Sequence, residues 1–193
     1  MRRPLFPIPI SILLFLAATF AGTYYVRRGM LERAMVNAME IEDAGMMRQL
    51  LEYRPAPVDV IYEDGSTPLH EAAKLGDLRL AGALLAKGAR IDAVTNHRGT
   101  PLHVAVTQLQ VDMLAFLIER GADVNAAPDW AATPLHWAKG RLAAFEAALR
   151  PDADGPSNPP PTEVPKYYGK ATAENARKAR LIVDLLLKHG ARE

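Results

Sequence analysis

The chain contains no cysteine among its 193 residues. This absence excludes disulfide bonds, cysteine-ligated zinc or iron–sulfur centres and thiol nucleophiles, and it is compatible with either redox compartment. Aromatic residues make up only 7% of the sequence, whereas apolar residues make up 49%, a balance that favours an array of helices over a β-sandwich. Length and composition together indicate one modest domain with accessory segments.

An excess of charge of either sign is also absent, because the formal net charge is +1. Residues 1–28 contain four arginines and no acidic residue, hence +4, and the remaining 19 basic and 22 acidic side chains give −3. Nucleic-acid binding depends on clustered lysine and arginine. Since the slightly acidic body has no basic stripe, we expect no nucleic-acid partner.

One long uncharged stretch, IPISILLFLAATFAGTYYV, occupies positions 8–26. A helix of about 20 apolar residues is long enough to cross the hydrocarbon core of a bilayer. Tyr24 and Tyr25 stand where interfacial aromatic residues usually occur, and arginine pairs flank both ends. The sequence therefore predicts a single-pass membrane anchor within residues 1–28, with the rest of the chain on the extracytoplasmic (periplasmic) side.

The alternative for this segment is a cleaved signal peptide. Thr19, Phe20 and Ala21 form a tolerable small-residue cleavage site. Cleavage there would release a secreted or periplasmic soluble protein. Both interpretations direct the chain to a membrane.

The string TPLH occurs three times at a constant spacing, beginning at Thr67, Thr100 and Thr133. Each threonine can cap a helix, and the following proline suits the first helical turn, where no N–H is needed. Gly88 and Gly121 fall where a left-handed residue would end a second helix. The TPLH string therefore predicts the start of the first of two helices in a repeated unit.

This period and the signature T-P-L-H-x-A resemble the ankyrin repeat, whose unit is about 33 residues long. The segment GADVNA at positions 121–126 also matches the family's segment between repeats. The resemblance implies an all-α fold, an ankyrin repeat solenoid of about four helix-turn-helix units. With the N-terminal transmembrane helix in front, the repeat domain would cover residues 31–193. Its units would span about 31–62, 63–95, 96–128 and 129–193.

The two terminal units depart from the pattern. The first lacks TPLH, as an end repeat that exposes one face can, and its five methionines suit either core packing or a partner surface. The fourth contains an insertion, at about 141–175, between a first helix that ends before Pro151 and a second that resumes around Ala173. This proline-rich insertion is either a solvated loop or a docking element that carries Tyr167 and Tyr168.

The three TPLH histidines, His70, His103 and His136, do not form a plausible metal site. They occupy equivalent places in successive units, and neighbouring helices pack about 8–10 Å apart, whereas zinc ligands lie about 2 Å from one ion. Each histidine is instead predicted to hydrogen-bond within the turn that starts its helix. We expect no catalytic residue, no metal, no cofactor and no small-molecule substrate, and hence no enzyme.

In the ankyrin family, partner-binding residues lie on the loop tips and at the end of the first helix. Trp130 is the sharpest candidate here, because aromatic side chains are enriched at binding hot spots. The family's turn glycine is replaced at Arg98 and Ala131, so these two turns are expected to differ in shape from the turn at Gly65. The partner-binding residues implied by the resemblance are Glu63, Asp64, Ser66, Asn96, His97, Arg98, Thr107, Gln108, Asp129 and Trp130.

These observations predict a non-catalytic protein–protein interaction module. It would be a membrane-tethered scaffold, held through residues 8–26, that binds another protein through loop tips and inner helices. The alternative is an exported inhibitor or immunity-type protein that is released when the signal peptide is cleaved.

Overall fold

The computed structural model describes residues 10–54, 56–127, 132–149 and 172–192, with side chains from residue 24 onward. These residues form no strand, which confirms the all-helical prediction for the described part of the chain. The helices within these ranges are α1 (Ile10–Glu40), α2 (Ala44–Leu50), α3 (Pro68–Leu75), α4 (Leu78–Ala86), α5 (Pro101–Thr107), α6 (Val111–Glu119), α7 (Pro134–Leu149) and α8 (Ala173–Lys188).

The helices pack in two layers. Helices α1, α3, α5 and α7 contact one another in sequence order in one layer, and α2, α4, α6 and α8 do so in the other. Each odd-numbered helix also packs against the even-numbered helix that follows it. Four helix pairs therefore stack so that each buries its apolar face against its neighbours, as repeat arrays require.

Local sequence explains where these helices begin and end. Thr67 and Thr100 are the N-cap residues of α3 and α5, each followed by proline at the first helical position. The Asp77 side chain caps α4 by accepting a 2.9 Å hydrogen bond from the backbone N–H of Leu80. Left-handed glycines follow the second helices at Gly88 and Gly121, as predicted, and Gly190 has the same conformation after α8.

One continuous apolar core runs through the stack. Equivalent leucines of the second and third units, Leu69, Leu84, Leu102 and Leu117, are fully buried. The first unit is joined to this core through methionine, which confirms core packing for Met35, Met39 and Met47. Met30, by contrast, is 68% exposed.

Helix α1 runs without a break from Ile10 to Glu40. The sequence predicts an anchor within residues 1–28 and a separate repeat domain from residue 31, whereas in the structure one helix belongs to both segments. Within the ranges that the structure describes, no helix has the length and apolarity needed to span a membrane.

The fourth unit has the longest helices of the three TPLH units. Helix α7 ends at Leu149 and α8 begins at Ala173, where the sequence predicts these helices to end and to resume. They pack against each other, and α8 also packs against α6. Tyr167 and Tyr168 of the insertion lie outside the described residues.

Candidate partner-binding surface

The second unit begins with a tight turn at residues 62–66, which we call a loop tip. The backbone N–H of Tyr62 donates to the carbonyl oxygen of Ser66 at 2.8 Å, and the N–H of Gly65 donates to the carbonyl of Tyr62 at 2.9 Å. Gly65 has a φ of 81°, in the left-handed region. The turn needs this conformation, which glycine adopts without steric cost.

The loop tip of the third unit, residues 95–99, has the same shape. The N–H of Thr95 donates to the carbonyl of Gly99 at 3.0 Å, and the N–H of Arg98 donates to the carbonyl of Thr95 at 2.9 Å. Arg98 has a φ of 63° and so adopts the left-handed conformation of Gly65. The expectation that the Arg98 turn differs in shape is therefore wrong, because the paired hydrogen bonds hold a non-glycine residue there.

Asn96 joins the two loop tips. Its backbone N–H donates to the carbonyl oxygen of Asp64 at 2.8 Å, and its side-chain Nδ2 donates to the carbonyl of Glu63 at 3.0 Å. Gly65 approaches so closely that a Cβ atom added there would lie 2.6 Å from the backbone nitrogen of Asn96. The tips of adjacent units are thus held in one fixed row.

The row brings six of the predicted partner-binding residues together. Glu63, Asp64, Asn96 and His97 are exposed, and Ser66 and Arg98 are half-buried. The Asp64 carboxylate accepts the N–H of Ser66 at 2.8 Å. Burial alone would raise the pKa of Asp64, but the hydrogen bonds from Ser66 outweigh it and hold that pKa below its usual range, so the Asp64 carboxylate is negatively charged at neutral pH.

Thr107 and Gln108 lie at the far end of α5 from its loop tip. With a rise of about 1.5 Å per residue, the seven residues of α5 separate the two ends by roughly 10 Å. The Thr107 hydroxyl donates to the carbonyl of Val104 at 2.9 Å, and Gln108 is exposed. The predicted residues therefore form two groups, one at the tips and one at the helix ends. Asp129 and Trp130 lie outside the described residues.

Lys74 belongs to the second group and was missed from the sequence. Lys74 precedes Thr107 by one repeat length, so the two residues occupy equivalent positions in the second and third units. This equivalence could have identified Lys74 from the sequence. Its ammonium pairs with Glu42 of the first unit at 2.6 Å and with Glu71 at 3.2 Å. Burial alone would lower the pKa of Lys74, but these carboxylates raise it above its usual value.

The TPLH histidine of the second unit is buried and makes two kinds of contact. The Nδ1 atom of His70 lies 3.1 Å from the backbone N–H of Thr67 and 2.9 Å from its hydroxyl. Its Nε2 lies 3.2 Å from the carbonyl oxygen of Gly99 in the next unit. Because a carbonyl only accepts, the proton is on Nε2 and Nδ1 accepts from Thr67.

His103 repeats this arrangement one unit later. Its Nδ1 lies 3.2 Å from the N–H of Thr100, its Nε2 lies 3.0 Å from the carbonyl of Ala132, and Trp137 packs edge-to-face on its ring at 4.9 Å between centroids. The predicted bond within each turn is confirmed for His70 and His103. The second bond, to the following unit, was not predicted. Burial lowers the pKa of both imidazoles.

His136, the third TPLH histidine, is exposed. The hydroxyl of Thr133 caps its helix by accepting the backbone N–H of His136 at 3.2 Å. Across the described ranges, no three histidine or acidic side chains are grouped closely enough to hold a metal ion. His70 and His103 thus form a repeated hydrogen-bonded joint.

Comparison with known proteins agrees with this geometry. A family model described as ankyrin repeats, in three copies, matches residues 34–128. No curated protein matches the chain. The matched range includes most of the first unit, which lacks TPLH, as well as the second and third units with their joined loop tips. Through residues 34–128, the chain therefore belongs to the ankyrin repeat family.

Proposed function

We propose that this protein is a non-catalytic interaction module that binds a partner protein. Ankyrin repeats generally mediate protein–protein interaction, and 34–128 is such an array. The observation that carries the proposal is the double hydrogen bond from Asn96 to the carbonyls of Glu63 and Asp64, which fixes adjacent loop tips in one row.

A fixed row favours binding because little conformational entropy is lost when a partner contacts it. Glu63 and Asp64 place two exposed acidic residues on the second unit, while His97 and Arg98 follow on the third. The exposed side chains of the tips differ from unit to unit, while the backbone of the turn stays the same. These differences determine which partner is bound, and the buried apolar core keeps the row rigid.

The proposal of a non-catalytic role is supported by what the histidines do. A general base needs a ring nitrogen that can reach the reacting group. In His70 and His103 both nitrogens are engaged in structural hydrogen bonds, and both rings are buried. These imidazoles stabilise joints between units.

The test is crosslinking and capture of the partner from the native cells with matched variants. Glu63→Ala combined with His97→Ala alters the row, and Lys87→Ala combined with Glu119→Ala alters exposed residues at the ends of second helices. We expect capture by the wild type and the control, and at least a tenfold loss with the row variant. Equal capture by all three proteins would contradict the proposal and direct attention to the insertion around Tyr167 and Tyr168.

We further propose that residues 8–26 tether the array to a membrane as a single-pass anchor, with the array on the extracytoplasmic side. This proposal is supported by the sequence, in which arginine pairs flank the uncharged stretch. Tyr24 and Tyr25, the first described side chains of α1, are exposed at the end of this stretch.

Fractionation of the native cells with mass determination of the N-terminus tests the tether. An intact N-terminus in a carbonate-washed membrane fraction is the expected result. A mature soluble chain that begins at Gly22 would overturn the tether and favour the exported inhibitor or immunity-type protein, because cleavage after Ala21 removes residues 8–21.

A further inference from the structure

The direction of α1 relates the loop tips to the proposed anchor. Because α1 is one helix from Ile10 to Glu40, the end of the uncharged stretch at Val26 and the first helix of the array share one axis. The position of any element that packs on the later part of α1 can therefore be given as its distance from Val26 along this axis, which we call its height. The edge of the array that lies lowest on this axis is the edge that faces the anchor.

One ion pair and one cleft indicate that α1 and α3 lie side by side and point the same way. At their carboxyl ends, Glu42 just after α1 pairs with Lys74 in the last turn of α3 at 2.6 Å. Toward the other end, a cleft of about 200 Å³ lies between α1 at Arg28 to Glu32 and the segment 56–60. A second cleft lies between α1 at Gly29 to Asn37 and residues 59–61, which lead directly into the loop tip 62–66. The chain therefore enters this tip beside α1 at Gly29 to Asn37.

The same edge continues into the third and fourth units. The bond from His70 to Gly99 joins the residues at the start of α3 and α5, and the bond from His103 to Ala132 joins those at the start of α5 and α7. The amino ends of the first helices therefore lie next to one another. Both described loop tips lie at this edge, and the turns that contain Glu42 and Gln108 lie at the opposite edge.

The rise of an α-helix gives the two heights. Gly29 and Asn37, the limits of the part of α1 beside the entry to the tip, follow Val26 at about 5 and about 17 Å, at about 1.5 Å per residue. Glu40, the last residue of α1, follows Val26 at about 21 Å on the same scale. The midpoint of this range is nearer to Val26 than Glu40 is by about 10 Å, roughly the diameter of one helix.

We infer that the loop tips 62–66 and 95–99 face the membrane that holds residues 8–26, and that the partner is the membrane-proximal segment of another membrane protein. The inference rests on the proposed tether and names the partner of the proposed surface. A partner that binds this edge must present its contact at about 5 to 17 Å from Val26, measured along the axis of α1.

The charge of the tip 62–66 favours a protein over lipid. Glu63 and Asp64 are exposed on this tip, which is the one nearest α1, and carboxylates and the phosphates of lipid headgroups carry charge of the same sign. Lysine, arginine or amide donors of a juxtamembrane protein segment complement them. The short height and the acidic tip therefore select a membrane protein with a basic segment close to the bilayer.

Because the chain has no native cysteine, a single introduced cysteine can be labelled with a fluorophore, and its distance from the bilayer can be measured. Single cysteines are introduced in the full-length chain at matched positions of one unit, His97→Cys at the tip and Gln108→Cys at the opposite edge. Glu63→Cys and Leu78→Cys form the second pair. Each labelled protein is reconstituted into phosphatidylcholine vesicles that carry a headgroup-attached quencher, and vesicle flotation is measured on the same samples.

We expect the fluorophores at positions 63 and 97 to be quenched at least threefold more strongly than those at positions 78 and 108. A chain that does not float with the vesicles would overturn the tether and this inference with it. A chain that floats, but is quenched equally at both edges or more strongly at positions 78 and 108, would overturn the orientation alone.

Site-specific photocrosslinking in the native cells then tests the partner class. With a crosslinker at position 97, we expect an adduct to an integral membrane protein that is at least threefold more abundant than with a crosslinker at position 108. Mapping of the adduct to a juxtamembrane segment would support the inference. Adducts only to lipid, or only to soluble proteins, would overturn it.

Discussion

His70 of the second unit lies 3.2 Å, measured from Nε2, from the carbonyl oxygen of Gly99, the residue that precedes the helix cap of the third unit. The same ring accepts from Thr67 through Nδ1. One side chain therefore caps its own helix and fastens it to the next unit.

Removing the equivalent ring in the third unit should destabilise the array strongly. His103→Ala loses the cap on Thr100 and the bond to Ala132, and it leaves buried polar groups without partners, so we expect a loss of about 2–3 kcal/mol. His136→Ala is the matched control, because this exposed ring should change stability by no more than about 0.5 kcal/mol. Urea unfolding measures both, and equal effects would contradict the role of the joint.

Acid should weaken the same joints. Burial lowers the pKa of His70 and His103 in the folded chain below the ordinary value of about 6.5. The unfolded chain therefore binds protons more readily, so this contribution to stability is full above about pH 6.5 and falls as the pH drops through that value. Melting temperatures measured from pH 7.5 to 5 should decrease accordingly.

The control for the pH prediction keeps the cap and removes the titration. Glutamine at the third helical position can take part in a capping box with the N-cap threonine, so His70→Gln combined with His103→Gln should flatten the decrease between pH 7.5 and 5. His136→Gln should leave the decrease in place. A double variant as acid-sensitive as the wild type would show that other groups cause the effect.

Substitutions of the left-handed residues in the two tip turns, Gly65 and Arg98, should have opposite effects on stability. Gly65→Ala would place a Cβ atom 2.6 Å from the backbone nitrogen of Asn96 at a φ of 81°, so we expect a loss of about 1–3 kcal/mol. Arg98→Gly removes left-handed strain at a φ of 63° and should not lower the melting temperature. Thermal melts of the two variants compare them, and a stable Gly65→Ala protein would refute the close approach.

Helix α8 should be an integral part of the stack despite the insertion before it. Ile182 is fully buried and Leu187 is 49% exposed on the same helix. Ile182→Ala should therefore cost about 2–5 kcal/mol, while Leu187→Ala should cost no more than about 0.5 kcal/mol. Truncation before Pro151, which removes α8, should lower the melting temperature sharply. An unchanged melt of the truncated chain would place α8 outside the folded array.

The repeat could be predicted from the sequence because its determinants are local. A cap, a proline at the first helical position and a left-handed glycine act within a few residues, so Thr67, Pro68 and Gly88 marked helix boundaries without knowledge of the fold. The constant spacing of the repeat then carried these boundaries from unit to unit. The bond between Thr67 and His70 is local in the same sense and was predicted.

The tertiary structure decided what depends on two units at once. The bond from His70 to Gly99, the contacts of Asn96 with the tip before it, and the pairing of Lys74 with Glu42 each join residues 29 to 33 positions apart. Their geometry follows from how neighbouring units stack, which no single segment encodes. The turn at Arg98 is the clearest case. Residues other than glycine disfavour a positive φ, so the sequence alone predicted a different turn, but hydrogen bonds across the turn outweigh that preference.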